Sequence, residues 1–282
     1  KGVMTMNVDR DVPTIAEAAR QIKAGMLSPV ALVESCLARI EAHEPTIQAF
    51  HTIFTDEARA AANQAEKEIE SGNYRGPLHG IPIGLKDVFY LKGHKTTSNS
   101  RIMQDFEAEE DAAVVTRLRD AGAIFMGQLN TYEFTFGGRP TFDALYPPAR
   151  NPWDITRSTG GSSSGSGAAV AAGFCLGALG SDAGGSIRTP SAFCGVAGMK
   201  ATFGRVSAFG DLPLSFSFDC VGPMTWTSED SALMLQALAG HDERDPGSVE
   251  TPVPDYVTPL NGGVSGLKVG MIRHFYTSDF EA

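Results

Sequence analysis

The 282 residues are ordinary globular material, 42% hydrophobic and 20% charged, enough for one large α/β domain or two small ones. A formal net charge of −10 without any Lys/Arg cluster argues against nucleic acid or an anionic membrane as a partner. Four scattered cysteines, Cys36, Cys175, Cys194 and Cys220, form no C-x-x-C pair; this disfavours a zinc site or disulfide framework and predicts small buried thiols in a reducing compartment.

The opening stretch, KGVMTMNVDRD, has no hydrophobic signal segment, and the longest weakly apolar run, Gly167 to Gly180, is shorter than the ~18 residues a membrane span needs. A soluble cytoplasmic protein is the default expectation. Thr14 and Glu17 fit a capping box that opens a first helix. Ser28 followed by Pro29 opens a second, with Val30, Val33, Leu37 and Ile40 at helical spacing. A third, alanine-rich helix runs from about Thr55 to a stop at Gly72.

After the turn-rich GPLHGIP comes an apolar strand ending at Lys86, preceded by Ile81, Ile83 and Leu85. In such a setting burial favours the neutral amine, although a surface lysine ending a strand is the plainer reading. Adjacent Asp87 is expected on the opposite strand face. Asp111 is the expected cap of a helix stopped by Gly122, and AIFMG, Ala123 to Gly127, is the strand that follows. AAVAAG leads likewise into LGALGSD, Leu176 to Asp182. A helix over Ser228 to Ala239 leads, after a long loop from His241 to Gly266, into LKVGMI, Leu267 to Ile272. This alternation predicts an α/β fold.

The run STGGSSSGSGAAVAAG, Ser158 to Gly173, has the composition of a flexible linker. No Gly-Lys follows its glycines, so it is not a P-loop, and Val170 stands where a dinucleotide fingerprint needs its third glycine. GSSSG, Gly161 to Gly165, matches G-x-S-x-G and would make Ser163 a hydrolase elbow nucleophile, but only His241 and His274 remain downstream as a base. Ser186, in GSDAGGSIRTPS, is the better serine. It follows two glycines at a strand end, where consecutive N–H groups can turn toward one developing oxyanion. A serine nucleophile needs a base, and Lys86 supplies one.

GPLHGIPIGLKD, GGSSSGSGAAVAAG and GSDAGGSIRTPSAFCGVAGMKATFGRVS together resemble the amidase signature family of serine hydrolases, and the likeness covers nearly the whole chain. The Ser-rich and Gly-Gly-Ser-Ile-Arg segments in tandem are highly specific. The resemblance implies a Ser-Ser-Lys triad in which Lys86 is the base, Ser162 the bridging serine and Ser186 the nucleophile. It implies a cis Gly161–Ser162 peptide and an oxyanion hole from the N–H groups of Ala183, Gly184, Gly185 and Ser186. Gly161, Ser163, Asp182 and Arg188 take supporting positions. The chain departs from the family at Ser164, usually glycine, and at Ala201, usually proline.

The implied fold is a single α/β/α layered domain on a central mixed sheet. Residues 1–75 form its N-terminal helical segment and 76–282 the signature core. Family members are longer, so a C-terminal part is expected to lie outside this sequence. The implied activity is metal-free and cofactor-free hydrolysis of an aliphatic or aryl amide, or a carbamate, through a Ser186 acyl-enzyme. The expected partner is a small-molecule amide, and the reading leaves a homodimer open. The alternative is the glutaminase component of a tRNA-dependent amidotransferase. Those proteins often read SIRQP, whereas Thr189 follows Arg188 here, which favours the stand-alone enzyme.

Overall fold

The computed structural model describes residues 12–136 and 144–270. The chain begins with helices α1 (Ile15–Lys23), α2 (Pro29–Ile47) and α3 (Thr55–Glu70). The Thr14–Glu17 capping box forms as the sequence predicts, and Ser28 accepts the Ala31 N–H to cap α2. Between α2 and α3 runs a strand not foreseen in the N-terminal helical segment, β1 (Phe50–Ile53).

Five further strands follow: β2 (Pro82–Lys86), β3 (Ile124–Leu129), β4 (Gly177–Asp182), β5 (Ala197–Gly198) and β6 (Cys220–Thr225). They form one mixed sheet in the order β1-β3-β2-β4-β6-β5, with β3, β2 and β4 parallel and the outer pairings antiparallel. Every residue of β2, β4 and β6 is buried. That is the behaviour of strands covered on both faces.

The remaining helices are α4 (Ala113–Asp120), α5 (Ser164–Ala171), α6 (Arg188–Cys194) and α7 (Ser228–Leu238). Helix α5 lies against the sheet centre and α6, while α7 packs on β5 and β6 and meets α1 and α4. With α2 and α3, these complete the α/β/α layering of a single core. Asp111 does not cap α4. The N-cap is Ala112, and Asp111 instead accepts the Lys92 N–H and pairs with Arg119. The loop from His241 to Gly266 holds one 3₁₀ turn, Thr258–Gly262. Of the strand expected over Leu267 to Ile272, residues 267–270 are irregular and the rest lie outside the described residues.

All four cysteines are buried and unpaired, and burial pushes the Cys36 and Cys194 thiols up to about 12. No helix among the described residues is long and apolar enough to cross a membrane.

The serine-glycine run is packed, not a linker. All eight residues of α5 are buried, and small side chains let the backbone approach its neighbours closely. A Cβ on Gly165 would stand 2.3 Å from the Ala49 carbonyl oxygen and 2.4 Å from the Asn130 amide nitrogen. Gly165→Ala, which in an open helix would gain up to ~1 kcal/mol, is therefore expected to destabilise by about 2 kcal/mol or more in denaturant titrations.

Candidate active site

The carboxyl ends of β2 and β4 lie on the same edge of the sheet, so Lys86 and Asp182, their last residues, are brought near each other. Lys86 is fully buried among apolar strands, the setting inferred from Ile81, Ile83 and Leu85. Its Nζ lies 2.8 Å from Ser162 Oγ and 2.9 Å from Ser181 Oγ. Loss of hydration pulls the amine down to about 7, against the opposing charges of Asp211, Asp219 and Asp182. At neutral pH a substantial fraction is therefore the free base. Asp87 is turned into a separate buried cluster with Thr97 and His51.

Ser162 is fixed from behind. The Gly161–Ser162 peptide is cis. The Ser162 carbonyl accepts Thr131 Oγ1 at 3.1 Å, the Tyr132 N–H at 3.3 Å and the Ser164 N–H at 2.8 Å. Any side chain at Gly161 would strike the Tyr132 ring, 2.4 Å from where its Cβ would sit. The glycine allows the close approach that orients Ser162.

Ser163 is fully buried at the start of α5, which rules out its exposure as an elbow nucleophile. Its N–H donates to the Ser186 carbonyl at 3.1 Å, and its Oγ donates to the Ser181 carbonyl at 3.3 Å. These bonds tie the serine-rich loop to the loop carrying Ser186. His241, the other half of that elbow reading, is exposed at the start of the long loop, and His274 lies outside the described residues.

Ser186 sits half-buried between β4 and α6, and its hydroxyl has no hydrogen-bond partner among the described residues. The loop is shaped by Asp182, whose carboxylate accepts the N–H groups of Gly185 (2.6 Å), Ile187 (3.0 Å) and Arg188 (3.2 Å). The Arg188 guanidinium adds two bonds of 3.0 Å. Of the four amides expected to face an oxyanion, Gly185 is thus taken by Asp182. The amides of Ala183, Gly184 and Ser186 have no partner among the described residues.

Burial works to raise the Asp182 carboxyl, but the bonds from Arg188 and from the three amides outweigh it and bring it from 3.8 to about 2. The stabilisation is complete above pH ~4 and is lost as pH falls through about 2. Asp182→Asn is expected to cost at most about 2 kcal/mol at pH 7, since the half-exposed Arg188 is screened by water. Denaturant midpoints measured at pH 7 and near pH 2 should show that gap closing; an equal gap at both would rule out the charge as its source.

Sequence reasoning missed Ser181, the second partner of Lys86, and Thr131, the brace behind Ser162. The signal for Ser181 was its place one residue before Asp182 on the strand beside Lys86. Among the described residues no group of three or more His, Cys, Asp or Glu side chains could hold a metal.

A family model described as Amidase matches residues 31–282. A glutamyl-tRNA(Gln) amidotransferase subunit of Chloroflexus aurantiacus is 46% identical over 95% of this chain and 55% of its own. Among solved structures, native peptide amidase from Stenotrophomonas maltophilia superposes with a TM-score of 0.81 at 36% identity, covering 88% of this chain and 52% of that one. The corresponding glutamyl-tRNA(Gln) amidotransferase subunit from Thermotoga maritima gives 0.77 at 34%, covering 93% and 54%. The chain spans about half the length of the curated relatives it matches.

Proposed function

Because the chain belongs to the amidase family, we propose that it contributes the catalytic centre of a hydrolase acting on linear carboxylic amides, with Ser186 as nucleophile, Ser162 as relay and Lys86 as base. The observation that carries this reading is a buried amine, held at about 7, 2.8 Å from a serine hydroxyl on the loop tied to Ser186.

In this mechanism Ser186 Oγ attacks the amide carbonyl carbon. Its proton passes to Ser162 Oγ, which gives its own to the neutral Lys86 Nζ. The carbonyl oxygen becomes an oxyanion facing the amides of Ala183, Gly184 and Ser186. As the C–N bond breaks, the proton returns through Ser162 to the departing nitrogen, leaving an acyl-enzyme and a free amine. Water then repeats the sequence and releases the carboxylic acid.

Intact-mass measurement against a panel of amides, esters and carbamates tests it. The expected result is an acyl adduct on Ser186, absent in Ser186→Ala; an adduct on Ser163 would overturn the assignment.

A second reading, that the chain is the glutaminase part of a tRNA-dependent amidotransferase, is supported by the relatives named as components of such enzymes, at 46% identity. Thr189, at the position where those proteins often carry glutamine, favours the stand-alone enzyme. Copurification with a second protein, together with tRNA-stimulated glutaminase activity, would decide for the amidotransferase.

A further inference from the structure

A cavity of about 230 Å³ is lined in part by Asp211 and Asp219, two of the charges that act on Lys86. Asp211 is 8% exposed, and neither of its carboxyl oxygens has a hydrogen-bond partner. Both being unpaired is costly unless something else meets them, because a buried carboxyl loses hydration at each oxygen. Lys86 is near enough to feel its charge, yet no salt bridge joins them, and both hydrogen bonds from Nζ go to serines. Asp211 thus feels the charge of the base without touching it, and burial holds its carboxyl well above the usual carboxylate range, against the pull of Lys86.

Its position is set by an isolated bridge just beyond β2. Asp211 bridges to Phe89, three residues beyond Lys86, and the next residue, Leu212, donates to the Val88 carbonyl at 2.9 Å. Asp219, on the same wall, directly precedes Cys220, the register partner of Asp182. Two lining residues are thus tied to the catalytic half of the sheet, Asp211 through Phe89 just after β2 and Asp219 through Cys220, which pairs with Asp182.

The other charges are already satisfied. Asp219 accepts the amides of Leu214 and Ser215, and Asp245 those of Ala208 and Gly247. Arg244, the one basic side chain in the wall, is paired with Asp242 and lies 4.1 Å over the Phe209 ring. The uncharged part of the wall includes Phe203 and Phe216, 38% and 89% exposed. An unpartnered carboxyl in one cavity with aromatic rings suits an alkylammonium, which can bond to the oxygens and lie against a ring face. It disfavours an anion.

We propose that this cavity is a subsite for a primary ammonium group carried by the substrate, with the unpartnered Asp211 carboxyl, ionised by the cation it meets, as its partner and Phe216 as an aromatic wall. That the bound molecule is a substrate rests on the amidase reading; that the cavity takes a cation does not.

The test is equilibrium binding of n-butylammonium, n-butanol and butyrate to the chain. The ammonium is expected to bind at least about tenfold more tightly than the alcohol, and butyrate weakest. Asp211→Asn should abolish the preference and Phe216→Ala should weaken ammonium binding about threefold. Equal binding of all three probes, or a preference that survives Asp211→Asn, overturns the proposal. Should Asp211→Asn fail to fold, the exposed Phe216 variant decides, unchanged affinity counting against. Ammonium binding without acylation of Ser186 would leave the subsite standing and remove the amidase reading. Acylation without ammonium preference would do the reverse.

Discussion

Lys86→Ala is expected to lower kcat/KM for an amide by about 10³–10⁴-fold and for a matched ester by only about 10–100-fold. The asymmetry comes from the leaving group. An amine cannot depart as its anion, so in the proposed relay the proton taken up by Lys86 would have to return to the nitrogen; an alkoxide or phenoxide leaves without it. In the wild type, activity should climb about tenfold per pH unit below about 7 and level off above, because only the neutral amine accepts the proton. Free lysine would place that bend near ~10.4. Equal losses on both substrates, with a folded variant and acylation rate-limiting, would show that Lys86 does not expel the amine.

The two serines on Lys86 should behave differently. Ser162→Ala is expected to cost about 10³-fold in turnover, since it cuts the proton path, with a stability change of only about 1 kcal/mol. Ser181→Ala removes the other hydrogen bond, at 2.9 Å, but lies on no route to Ser186, so a loss below about tenfold is expected. A fluorophosphonate should label Ser186 in both, much more slowly in the Ser162 variant. Near-normal turnover in Ser162→Ala would end the relay assignment.

The helices and parallel strands were legible where local chemistry and tertiary role agree. α1 and α2 carry their own caps, and β2 and β3 are short apolar runs behind turn signals. β6 was not legible because CVGPMT holds a glycine and a proline, residues that normally argue against an interior strand. It lies between β4 and β5, with Pro223 opposite Leu179. Helix α6 begins inside the Gly-Gly-Ser-Ile-Arg motif and has Pro190 near its start, so its motif hid its structure. Ser162 and Asp182 were legible only through the family resemblance, and Lys86 through its apolar neighbours and that resemblance; the structure places Lys86 and Ser162 2.8 Å apart and sets Asp182 under the Ser186 loop. Asp211 was not, because its burial depends on a pairing with Phe89, more than a hundred residues earlier in the chain.

The order of strands in the sheet also sets the order in which the molecule can be built. β2, β3 and the β1 that flanks them come from the first half of the chain, so this part of the sheet can form while synthesis continues. β4 then docks beside β2 across a gap of about ninety residues, a long-range parallel pairing of the kind that slows folding. Its far side stays an open edge until β6 emerges. A nascent chain ending before Cys220 would already contain Lys86, Ser162 and Ser186, yet the strand that presents Asp182 and the Ser186 loop would still have an unpaired edge. Only once Thr225 has been made can β6 cover that edge in full.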